Sequence, residues 1–117
     1  MLFRLFCLLA ASCFTAWTQS QELVAKGMLA KSYLETGRFD DAAQVYAELV
    51  KALPGNTGLQ LNLGMALHMA GNDHQAIAAL KPLLDKAPQT PPAQLFLAAS
   101  YLRTNQPAAA LPWLERF

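Results

Sequence analysis

The sequence predicts an all-α fold in which antiparallel helix pairs stack into a solenoid. Three observations carry that reading. Like residues recur 34 positions apart: Gly37 and Gly71, Ala42 and Ala76, Leu49 and Leu83, Pro54 and Pro88. Within each period the apolar residues fall three, four and seven apart, the rhythm of one helical face. Glycine and proline then punctuate the periods at matching places. At 54% hydrophobic and 15% charged, the 117 residues can build a core and lack the composition of a disordered segment.

Units beginning at Leu23, Thr57 and Pro91, the last incomplete at residue 117, bring the columns into register. Position seven reads Leu29, Leu63, Leu97, and position eight Ala30, Gly64, Ala98. Position eleven is Tyr33, Leu67, Tyr101; position twenty is Ala42, Ala76, Ala110. Positions twenty-four and twenty-seven are Tyr46, Leu80, Leu114 and Leu49, Leu83, Phe117. A shift of one residue destroys every column.

Helices are predicted over 22–36, 40–52, 57–70, 73–86, 91–104 and 107–117. The first helix of each unit stops at Gly37, Gly71 or Asn105, types that accept a positive φ. Asp40 and Asp73 open second helices, where a carboxylate suits free N–H groups. Pro107 opens the last, having no N–H to satisfy. Pro54 and Pro88 close second helices, because proline cannot continue the ladder. Pro82 and Pro112 fall inside second helices and predict kinks. Alanine or glycine at positions eight and twenty lets paired helices approach closely, with Tyr33 and Tyr46, or Leu67 and Leu80, filling the space around the contact.

Residues 1–20 are of another kind. Arg4 precedes a run that stays uncharged from Leu5 to Gln21. One cation, a short apolar stretch and then small polar residues describe a secretory signal peptide, with an uncleaved membrane anchor as the alternative. The expected location is therefore periplasmic or secreted. Both cysteines, Cys7 and Cys13, lie in this segment. "LAASC", ending at Cys13, resembles a bacterial lipobox and makes Cys13 the candidate lipidation site. Beyond the leader there is no cysteine, so the domain rests on packing without disulfides.

The repeat resembles the tetratricopeptide repeat family over about four-fifths of the chain, Leu23 to Phe117. Its small-residue columns, the glycine after the first helix, the aromatic in the second and the closing proline all match. Lys26, Gln60 and Gln94 occupy the family's tryptophan column. The resemblance implies a right-handed superhelix whose concave face is lined by first helices. Carried over position by position, the partner-binding groove comprises Met28, Lys31, Leu61, Asn62, Met65, His68, Met69, Phe96, Leu102 and Arg103. Some family members clamp a C-terminal carboxylate. Of the five corresponding positions here, Gly27, Lys31, Asn62, Pro92 and Phe96, only Asn62 matches.

Chemistry is harder to find. There is no G-x-S-x-G around any serine, no glycine-rich phosphate loop and no H-E-x-x-H. His68, Asp73 and His74 gather at a turn, but Gly71 separates the histidines; capping by Asp73 and partly exposed imidazoles are expected there. No catalytic residue, metal or cofactor is expected. The net charge of +1 and the lack of any basic run speak against nucleic acid. The expected role is a non-catalytic scaffold outside the cytoplasm, binding a protein or peptide with an apolar segment. Contact with a membrane would come only through the leader or a lipidated Cys13. The alternatives are the N-terminal repeat portion of a larger secreted protein or enzyme, and an outer-membrane lipoprotein in assembly or secretion. Leu111, Leu114 and Phe117 would leave a bare face on the last helix, which predicts a truncated chain, a partner docked there or dimerisation.

Overall fold

The computed structural model describes residues 2–116, with side chains from residue 10 onward. Among the described residues six helices follow one another without a strand: α1 (Leu2–Glu35), α2 (Phe39–Ala52), α3 (Thr57–Met69), α4 (Asp73–Lys86), α5 (Pro91–Arg103) and α6 (Pro107–Leu114). Each packs against the next in the chain, and α3 also touches α5. α2 and α4 thus each pack between the first helix of their own unit and that of the next. This is a solenoid of helix pairs.

The first helices end as their columns require. Gly37, Gly71 and Asn105 have φ of 77°, 85° and 59°. At each site the next residue's N–H reaches back five positions: Arg38 to Tyr33 O, Asn72 to Leu67 O and Gln106 to Tyr101 O, all at 2.8 Å. A shorter bond lies inside each, from Gly37 to Leu34 O, Gly71 to His68 O and Asn105 to Leu102 O. These are Schellman motifs, which satisfy carbonyls that the helix itself leaves free. The same turn, made three times, ends each first helix in the same way. At the start of α3 the Asn56 side chain accepts from Leu59 N at 3.1 Å, a cap with no counterpart in the repeat columns.

The core is a ladder of small contacts. Ala30, Ala42, Ala76, Ala98 and Ala110 are fully buried where paired helices meet. Leu49, Leu80 and Leu97 are enclosed between neighbouring units; burying each contributes about 1.5–3 kcal/mol. At Gly64, α3 and α4 approach closely. A Cβ there would overlap Cγ and Cδ2 of Leu80, itself completely buried. In the tryptophan column polar ends find partners instead: Lys26 Nζ lies 3.4 Å from Glu48, Gln60 Nε2 donates to Ala79 O at 2.7 Å, and Gln94 Nε2 donates to Pro88 O.

Three expectations need correction. α1 does not begin at residue 22: residues 2–22 and the first repeat helix form one continuous helix, because no helix-breaking residue separates them. From residue 10 to 22 every side chain is exposed. α6 stops at Leu114, short of 117. Leu29 is 44% exposed although its column-mate Leu97 is buried, since a position-seven leucine is covered by the second helix of the preceding unit. The third correction, at Asp73 and His68, concerns the site below. Pro82 and Pro112 sit within α4 and α6. Cys7's side chain and Phe117 lie outside the described residues. Among the described residues no helix is long and apolar enough to cross a membrane.

Candidate functional site

The groove residues divide by exposure. Met28, Met69 and Leu102 stand 70%, 47% and 49% exposed, which is unusual for large apolar side chains unless something covers them. Lys31 and Arg103 are also exposed, whereas Leu61, Asn62, Met65 and Phe96 are half-buried. The α3–α5 contact brings together the unit-two and unit-three members: Leu61 and Phe96 pack on one apolar cluster that also contains Leu80 and Leu97. Met28 and Lys31 lie one unit away, on α1. Cys13 is exposed on the projecting part of α1.

His68 does not face the groove openly. It is buried, with its ring tilted at 60° against Phe96, centroids 5.5 Å apart. Its Nδ1 is 2.7 Å from Asp73 Oδ1 and 3.0 Å from Ser100 Oγ. Asp73 is not a cap: the residue preceding α4, Asn72, makes no side-chain cap either, and the Asp73 carboxylate points inward. Its second oxygen accepts from Arg103 Nε at 2.8 Å. The Arg103 Nη2 donates to His68 O at 2.7 Å. One guanidinium therefore satisfies a carbonyl in the last turn of α3 and a carboxylate in the first turn of α4, both places where such charges are favoured. Burial pushes the Asp73 carboxyl up, but hydrogen bonds from Ser100, His68 and Arg103, with the Arg103 charge, hold it below its ordinary value.

Ser100, His68 and Asp73 invite comparison with a nucleophile relay, and the geometry rejects it. A relay places serine and carboxylate on opposite ring nitrogens, so that one orients the imidazole while the other surrenders its proton. Here both meet Nδ1. The cluster instead ties unit two to unit three. His74 is exposed and plays no part in it. Asp73 and Ser100 were not foreseen in this role. The available signal was Ser100 itself, a hydroxyl in a column whose unit-two member, Ala66, is fully buried.

A family model described as tetratricopeptide repeat matches residues 33–94, and a second with the same description matches 91–116. This chain belongs to the tetratricopeptide repeat family. Among proteins similar to this repeat chain, the Yersinia pestis beta-barrel assembly-enhancing protease is 32% identical over 101 residues. That stretch is 86% of the chain but only 21% of the protease, so the chain spans about a fifth of that relative's length. Solved MamA structures share the repeat fold: one, of a MamA mutant, gives a TM-score of 0.75 at 24% identity, over 80% of this chain and 69% of that one. MamA MSR-1 gives 0.74 at 25% identity, covering 80% and 53%.

Proposed function

We propose that this tetratricopeptide repeat chain is a non-catalytic scaffold of the extracytoplasmic space. It holds a protein or peptide with an apolar segment on the face formed by α1, α3 and α5. The observation that carries this reading is the exposure of Met28, Met69 and Leu102 on a face that second helices leave uncovered, beside the half-buried Leu61, Met65 and Phe96. Methionine adapts to irregular apolar partners, and an amphipathic helix or extended segment fits a trough between parallel helices. Support for a non-catalytic role comes from the Ser100–His68–Asp73 arrangement, whose polar atoms are spent on joining two units. The extracytoplasmic location rests on the leader, with its single Arg4 before an uncharged run.

The test is a peptide selected from a display library against the wild type, then titrated against Met65→Glu/Phe96→Glu. A loss of at least about tenfold in affinity, roughly 1.4 kcal/mol, supports the groove. Equal affinity discards it.

The length of the Yersinia pestis relative favours a second reading, in which these repeats are the N-terminal portion of a larger secreted protein or enzyme. An immunoblot of the native source distinguishes the two: a band at or below 12.7 kDa, the mass with residues 1–20 retained, supports the scaffold, and a much larger one the second reading. That relative's name, with its reference to β-barrel assembly, also fits an outer-membrane lipoprotein in assembly or secretion. Mass spectrometry of the mature N-terminus decides this, because an unmodified residue beyond Cys13 excludes lipidation.

A further inference from the structure

The polar atoms that join units two and three are Ser100 Oγ, the Asp73 oxygens, the Arg103 nitrogens and His68 Nδ1. The second ring nitrogen of His68 lies outside that tie. An ionised carboxylate can only accept, and Arg103 keeps Asp73 ionised, so the 2.7 Å contact places the ring proton on Nδ1. In the neutral imidazole Nε2 is then a bare acceptor. Among the described residues it has no hydrogen-bond partner. His68 is only 9% exposed, yet no buried side-chain nitrogen or oxygen goes without a partner, so that small opening includes Nε2.

The surroundings select what Nε2 can receive. The Phe96 ring lies against the imidazole, and the half-buried Met65 precedes it by one turn of α3. Neither α3 nor α5 carries an acidic residue. Arg103, the one formal cation on either helix, is committed to Asp73 and to the His68 carbonyl. A lysine donor would lose its hydration beside Arg103, with the only nearby counter-charge already taken. The fitting donor is therefore neutral and carried on an apolar body. Tyrosine would leave the lone pairs of its own oxygen unmet in this place, whereas an indole N–H donates and needs nothing in return.

We propose that His68 Nε2 is the polar recognition point of the trough, accepting from the indole N–H of a tryptophan in the bound segment, whose ring packs on Phe96. This rests on the trough reading and adds the residue that is read there. Asp73 already orients the acceptor, so the bond forms without ordering a loose side chain.

Nitrogen NMR of wild-type chain with isotope-labelled histidine tests it, and His74 is an internal reference because the chain has only two histidines. In the free chain at about pH 8, where an ordinary imidazole is neutral, His68 is expected to show a protonated Nδ1 and an unprotonated Nε2. Peptides selected from a display library against the wild type are expected to carry a tryptophan at one fixed place. Adding such a peptide is expected to move the His68 Nε2 resonance and leave His74 still. The same peptide with benzothienylalanine at that place keeps the ring shape and loses only the N–H. It is expected to bind about tenfold more weakly and to leave Nε2 unmoved. A proton on Nε2 in the free chain, trough-bound peptides without tryptophan, an Nε2 resonance indifferent to the tryptophan peptide, or equal binding of the sulfur analogue overturns this inference alone. Peptides whose affinity ignores Met65→Glu/Phe96→Glu overturn the trough reading and this inference with it.

Discussion

Arg103, in the last turn of α5, reaches across to Asp73 at the first turn of α4, with Nε 2.8 Å from Oδ2. The two residues are 30 positions apart and belong to different units, so their pairing fixes how one helix pair sits on the next. The carboxylate is almost wholly buried while the guanidinium is half exposed, and this asymmetry sets the expected energies. Asp73→Ala removes the acceptor shared by His68, Ser100 and Arg103 and is expected to cost about 2–4 kcal/mol. Arg103→Ala leaves the carboxylate two partners and loses a solvent-screened ion, so about 1–2 kcal/mol is expected. Urea unfolding of both single variants and the double measures the coupling directly, and an additive double variant would show that the pair does not join the units.

The same group sets an acid limit. Asp73's carboxyl lies below its ordinary value of 3.8 in the folded chain. Its contribution to stability is therefore fully present above that value and is lost as pH falls through and below it. Asp73→Asn is expected to be less stable near neutral pH yet to lose less on acidification than the wild type. Thermal melts from neutral to about pH 2.5 check this, and parallel curves would remove Asp73 from the account.

At Gly64 two effects oppose each other. Alanine is the better helix former by about 1 kcal/mol. Its Cβ, however, would overlap Leu80, which is fully buried, and overpacking of this kind costs about 1–3 kcal/mol. Gly64→Ala is expected to lower the melting temperature, and Ala76→Phe to lower it more. A rise in either variant would mean that α3 and α4 are not in this register.

The three turns allow a controlled comparison. Gly71, with φ of 85°, loses its freedom when a Cβ is added, so Gly71→Ala is expected to cost about 1–2 kcal/mol. Asn105 already carries a side chain at φ 59°, and Asn105→Gly is expected to be neutral or slightly stabilising. Denaturant midpoints check both. Equal effects at the two sites would contradict equivalent turns.

What could be read in the sequence follows from what repeats. Gly37, Gly71 and Asn105 announced their turns, and the alanines of positions eight and twenty announced the helix contacts, because each column meets the same surroundings in every unit. Where surroundings differ, the column misleads. Leu29 has the type of a core residue but no second helix before it. The Arg103–Asp73–His68–Ser100 cluster occurs once, so no period points to it, and its members lie up to 35 residues apart. α1 extends N-terminally through residues 2–22 because helix propensity carries no mark of where a repeat begins. The exposure that distinguishes Met28 from His68 within the groove positions depends on tilt and cover, which residue type alone does not specify.

The central claim is that the first-helix face receives the partner. Photo-crosslinking tests it most directly, with a benzophenone amino acid placed at Met69 on α3 or at Ala78, an exposed position on the second helix α4. The account predicts a specific adduct with the selected peptide from position 69 and none from position 78. Adducts from position 78, or equal yields from both, would contradict it.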